Sequence, residues 1–182
     1  MAILPVARLG NPILRKIAAP VSGEELRSVA FQQFIDDMVE TMRVKDGVGL
    51  AAPQVSKSKQ VAVIESHLNP RYADAPDISL LVLVNPLFIY LSPEKVEGWE
   101  GCLSVDNLRG KVLRSRKAAV RAFDRQGRSI EIITDTFLAV ILQHEIDHLH
   151  GRLFVDQISD PLSLSHLEEF NSYIQRKPVV AA

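Results

Sequence analysis

The sequence predicts an α+β fold in which antiparallel or mixed β-sheets pack around a central metal-binding HExxH helix, with an N-terminal helix and a C-terminal helix. Three observations carry that expectation. Short runs rich in Val, Ile and Leu, separated by Pro, Gly, Asn and Asp, recur between residues 60 and 134 at strand length. Phe31, Phe34, Ile35, Met38, Val39 and Met42 fall on one helical stripe, the pattern of a helix packed on a core. Finally, QHEIDHLHG at 143–151 sets His144 and His148 one helical turn apart on the same face, with Glu145 flanking it.

The elements follow in order. Met1 to Val21 is punctuated by Pro5, Asn11-Pro12 and Pro20 and reads as an irregular arm over the surface. Ser22 can cap the helical region that contains the stripe. GVGLAAPQ at 47–54 leaves backbone amides bare for close approach by a ligand, but it lacks the lysine of a phosphate loop and the third glycine of a dinucleotide fingerprint. Gln60–Glu65 and Ile78–Asn85 read as strands, the second apolar enough to be buried on both faces, with a surface insertion from Ser66 to Asp77 between them. A further β-prone piece, Leu87–Leu91, ends in the turn Ser92-Pro93-Glu94. Lys111–Phe123 and Ser129–Thr134 read as antiparallel strands joined at Asp124–Gly127. Thr134, Asp135 or Thr136 can cap the HExxH helix and Gly151 can end it; Asp160-Pro161 opens a last helix with Leu164, Leu167, Phe170 and Ile174 near helical spacing.

Composition sets the limits on function. With 182 residues, 20.2 kDa and 47% hydrophobic content spread evenly, the chain is expected to form one domain over residues 1–182. A net charge of -1 and a pI near 6.5 give no basic field of the kind that binds nucleic acid or anionic membrane. No run reaches the ~18 apolar residues of a membrane helix. MAILPVARLG lacks a signal peptide's charged start and apolar run, and the single cysteine cannot form an internal disulfide. A cytoplasmic protein with no membrane partner is expected.

Two neutral histidines bind a divalent metal, and the glutamate of HExxH is free to handle the proton of an attacking water. A catalytic site takes one more protein ligand. Cys102 in EGCLS at 100–104, Glu168 or Glu169 downstream, and His150 are the candidates; His150 lies about 200° around the helix from His148 and points away. His67 and His166 read as surface residues.

GVGLAAPQ, EGCLS and QHEIDHLHG, in this order and with these separations, closely resemble the three motifs of peptide deformylases, and LGNPILRK at 9–16 resembles their N-terminal arm. The resemblance covers nearly the whole chain. It implies a metallohydrolase that removes the formyl group from the N-terminal methionine of nascent polypeptides. It also implies Cys102, His144 and His148 as metal ligands, ferrous iron as the ion with zinc, nickel or cobalt as alternatives, Glu145 as the proton carrier, and Gln54 with the Leu103 backbone N–H as donors to the oxyanion. Phe137 and Ile141 lie on the metal face of the helix and, with Val48, wall an apolar pocket suited to methionine. Gly49 and Gly101 can pair with an extended peptide, and Arg109 stands where the family has an arginine near the peptide exit. Asp106-Asn107 depart from the proline that many relatives carry there. The last helix sets Arg176 and Lys177 against Glu168 and Glu169, so it is not strongly basic and leaves a ribosome contact open. Two other readings are a zinc peptidase using the same HExxH and a non-catalytic binding relative; intact Gln54, Cys102, His144, Glu145 and His148 speak against the second.

Overall fold

The computed structural model describes residues 1–69 and 75–175. Its helices are α1 (Gly23–Arg27), α2 (Val29–Val44), α3 (Phe137–Leu149) and α4 (Leu167–Glu169). The strands are β1 (Gly49–Ala51), β2 (Val61–Ser66), β3 (Ile78–Leu91), β4 (Lys95–Cys102), β5 (Val105–Ser115), β6 (Ala118–Phe123), β7 (Ser129–Thr134) and β8 (Ser165–His166). They form two antiparallel sheets, ordered β1-β2-β3-β6-β7 and β4-β5-β8. This is the expected α+β architecture, with antiparallel pairing throughout the named strands. Among the described residues no helix is long and apolar enough to cross a membrane.

Alternation along β2 and β3 explains why their sequences are apolar without a break. Val61, Val63, Val82 and Val84 face α2, where Phe31, Ile35, Met38, Val39 and Met42 form the predicted stripe. Ile64 and Leu83 face the other way and meet Ile141, Leu142 and Ile146 of α3. Successive side chains of a strand point to opposite faces, so a sheet covered on both sides needs apolar residues at both parities. Burying one such side chain contributes about 1.5–3 kcal/mol.

Several boundaries differ from the sequence reading for local reasons. Ser28, not Ser22, caps the long helix, its hydroxyl accepting from Phe31 N, while Ser22 caps only the five-residue α1. The two pieces expected around Asn85-Pro86 form one strand, β3, with register shifts between Val84 and Leu87 and between Phe88 and Tyr90. Asn85 takes φ 51° and turns its side chain to Val21, donating to Val21 O and accepting from Val21 N. That arrangement, with Pro86 lacking an N–H, makes the bulge without ending the strand. The expected strand Lys111–Phe123 is two strands in different sheets, because the chain turns at Arg116-Lys117. The strand β4, ending in Cys102, had no counterpart in the sequence reading. The C-terminal helix begins at Leu167, later than expected: Asp160-Pro161 opens only a three-residue turn, Pro161–Ser163, and β8 follows. Arg176 and Lys177, and residues 70–74 of the expected insertion, lie outside the described residues.

The N-terminal arm straps the two sheets together near the motifs. Ala7 N donates to Gln54 O and Leu9 N to Ser104 O, each at 2.7 Å, and Arg8 pairs with Asp106. Asn107, the third residue of β5, takes a positive φ of 53°.

Candidate active site

α3 and β4 bring three donor atoms together. Thr136 caps α3 by accepting from Leu138 N, and the helix presents His144 and His148 on one face. β4 ends at Cys102, and the two-residue turn Leu103-Ser104 returns the chain as β5, pairing Cys102 with Val105. Cys102 Sγ lies 3.3 Å from His148 Nε2, His148 Nε2 lies 3.3 Å from His144 Nε2, and the three donors all fall within 4.8 Å of one another. Donors of a tetrahedral thiolate–imidazole site stand about 3.3–3.6 Å apart, given metal–sulfur and metal–nitrogen bonds of about 2.3 and 2.0–2.1 Å. The donor set and its spacing fit a divalent metal. His150 points away, its Nδ1 against Ile146 O at 2.8 Å.

The two imidazoles are pushed in opposite directions by their surroundings. Burial opposes a charge on His144, but Cys102 and Glu100 hold its pKa well above the ordinary value. His148 goes the other way, lowered by burial and by the charges of His144, Arg114 and Arg15. Cys102 Sγ also accepts from Gln54 Nε2 at 3.3 Å and from Ser104 N at 3.4 Å, donors suited to a thiolate. Gln54 is fixed at its other end, Oε1 accepting from Ala51 N at 2.8 Å, and its Nε2 also reaches Ser104 Oγ at 3.2 Å.

Behind His144 lies a buried ion network. Its Nδ1 is 2.8 Å from Glu100 Oε2, which orients the ring with Nε2 toward Cys102. Arg114 donates to both Glu100 oxygens, at 2.7 and 2.9 Å, and to Asp147 Oδ2 at 2.5 Å. Burial pushes the Glu100 carboxyl up, but the Arg114 and His144 hydrogen bonds and charges overcome it and bring the pKa down to about 2. Gln143 ties α3 to the end of β5, exchanging hydrogen bonds with Ser115 N and O, both at 2.9 Å. The network escaped the sequence reading. Part of its signal was present: Asp147 stands three residues after His144, on a helix that is mostly apolar up to Leu142.

Glu145 is set apart. It is 3% exposed, its Oε2 has no hydrogen-bond partner, and burial raises its pKa to about 7 against the lowering charge of His144. It faces Gly49, where an added Cβ would stand 2.2 Å from Oε1; only glycine leaves room for the carboxylate.

A cleft opens onto these groups. Gly47, Val48 and Gly49 form one rim, Trp99, Glu100 and Gly101 the other, and Phe137, Val140 and Ile141 the inner wall, with Gln54, Cys102, Leu103, His144 and Glu145 lining it as well. Trp99 and Val140 were not anticipated. Arg109 is not among these lining residues: it is 3% exposed and lies against Gly101, where a Cβ would stand 1.7 Å from Nη1. β1 and β4 are the outermost strands of their sheets, so the cleft runs between two strand edges.

Known proteins of similar sequence and structure identify the family. A chain from Nostoc sp., "Peptide deformylase 2", is 41% identical over 174 residues, covering 96% of each chain. "Peptide deformylase 3" of Shewanella oneidensis is 47% identical over 160 residues, covering 87% of this chain and 91% of that one. The Met-Ala-Ser-bound crystal structure of class I type b peptide deformylase from Acinetobacter baumannii superposes with a TM-score of 0.83 at 48% identity, covering 86% of this chain and 99% of that chain. The family model described as polypeptide deformylase matches residues 3–163, and the chain belongs to that family.

Proposed function

We propose that residues 1–182 act as a single catalytic domain in the cytoplasm, deformylating nascent chains with Cys102, His144 and His148 as the metal ligands on a central helix, α3. Deformylase activity itself follows from family membership. The observation that carries the residue assignments is the convergence of a thiol and two imidazoles beside the buried Glu145 carboxylate, whose Oε2 makes no hydrogen bond, in a cleft between two strand edges. A divalent ion held there, ferrous iron in our reading with zinc, nickel or cobalt as alternatives, would supply Lewis acidity to water and to the formyl oxygen.

The chain's own residues do the rest. An extended N-formylmethionyl peptide enters between the rims, its backbone hydrogen-bonding to the edges at Gly49 and Gly101. Val48, Phe137 and Ile141 enclose the methionine side chain and exclude water from it. Glu145 takes the proton of the attacking water on its carboxylate and returns it to the departing amine; a pKa near neutrality suits both duties. Gln54 Nε2 and the Leu103 N–H donate to the oxygen on which negative charge develops. Glu100 keeps the His144 ring in place through Nδ1, and Arg114 keeps Glu100 charged. Formate and a free methionyl N-terminus leave.

Anaerobic formate release from formyl-Met-Ala-Ser, with metal content measured on the same sample, tests the proposal. Formate production with about one metal per chain is expected. A full complement of metal without formate would end it.

A further inference from the structure

The family match ends at residue 163, yet the chain beyond it packs against the cleft. Ser165 and His166 pair with Arg109 and Leu108 of β5, extending the sheet that carries the Trp99 rim. α4 follows, and the next turn buries Phe170 with its ring 4.9 Å from that of Trp99, edge-on at 62°. On the same sheet, Lys111 stands opposite Trp99 in the β4–β5 register, its ammonium 5.9 Å from the indole centroid and 2.9 Å from Glu97. Trp99 is thus held by an aromatic edge and a cation, both fixed by other groups.

Trp99 precedes Cys102 by three residues on β4, a distance of about 10 Å at about 3.4 Å per residue. With the formyl carbon at the donor cluster, an extended peptide advancing at the same rate brings its second and third residues level with the indole. The methionine side chain is already housed by the α3 wall. An indole offers a large rigid contact surface at small entropic cost and makes no demand for a particular side chain. We infer that Trp99 is the contact surface for the residues after formyl-methionine, and that Phe170, beyond the end of the family model, is a positioning residue that sets the indole's angle. This rests on the deformylase reading above.

The test compares formate release from formyl-methionine amide and from formyl-Met-Ala-Ser, using metal-loaded full-length protein. Phe170→Ala is expected to raise KM for the tripeptide about tenfold with kcat unchanged, and to leave the amide's KM within about twofold. Phe170→Tyr restores the aromatic edge and the wild-type KM. Trp99→Ala gives the same tripeptide defect, and Phe170→Ala adds nothing to it in the double variant. Trp99→Ala alone carries the test should Phe170→Ala fail to fold. Equal losses on both substrates, additive losses, or an unchanged tripeptide KM would overturn the inference. Absence of formate from either substrate with the wild-type chain would instead remove the deformylase reading, and this inference with it.

Discussion

The two faces of the five-stranded sheet are built from opposite materials. Under α2, Ile35, Met38 and Met42 meet Val61, Val63 and Val82 in a layer with no charge in it. On the far side, α3 contributes a similar apolar layer toward the sheet, but toward β4 and β5 it sets Asp147 on Arg114 and His144 on Glu100 in a buried ion network. An apolar layer tolerates changes of shape at a cost in stability and imposes little on distant atoms. A buried ion network contributes uncertain net stability but fixes positions, because each charge is costly unless its partner stays in place. The difference teaches that stability and site geometry are carried by separate interfaces of one molecule, and substitutions can separate them.

The largest effect is expected at Glu145. Glu145→Ala should lower kcat/KM for formyl-Met-Ala-Ser by about 10²–10⁴-fold with metal content unchanged, since the carboxylate moves protons and has no structural partner at Oε2. Thermal denaturation of the same variant should show no loss of stability; a large drop in Tm would break the separation. Arg114→Met comes next and should affect both properties. It leaves Glu100 and Asp147 buried without their counter-charge, at about 3–5 kcal/mol in denaturant titration. By freeing Glu100 from its place on His144, it should also weaken metal affinity about 10–100-fold, read by competition with a chelator. Met38→Ala should cost about 2–5 kcal/mol while kcat on the folded enzyme stays at the wild-type value.

The smallest effect is in acid. Folding lowers the Glu100 pKa from 4.5 to about 2. A carboxylate depressed on folding stabilises the native state above its unfolded pKa, and that contribution drains away as pH falls through the folded value. Wild-type stability should therefore decline between pH 4.5 and about 2 more steeply than that of Glu100→Gln, in unfolding experiments at stepped pH. Equal slopes would mean that Glu100 is not held as described.

Much of this was legible in the sequence because it depends on local periodicity. The stripe from Phe31 to Met42, the apolar β3 and the spacing of His144 and His148 all follow from which residues share a face. The breaks were less legible. Asn85-Pro86 looks like an end of strand, but a tertiary hydrogen-bond pair to Val21 turns it into a bulge. Arg116-Lys117 separates two sheets without any Pro or Gly to announce it. Around the site, the spacing of HExxH pointed to two ligands and left the third open, since Cys102 arrives from a different sheet. Arg114 looked like an ordinary strand residue because its partners, Glu100 and Asp147, are 14 and 33 residues away. The burial of Arg109 against Gly101 is likewise a property of the β4–β5 pairing and not of local sequence.

The central claim is that Cys102 completes the site begun by His144 and His148. It is tested most directly by the metal content of Cys102→Ala purified beside the wild-type chain. About one divalent ion per wild-type chain and a large loss in the variant are expected, because two histidines alone hold such an ion weakly. A Cys102→Ala protein that keeps its full complement of metal would contradict it.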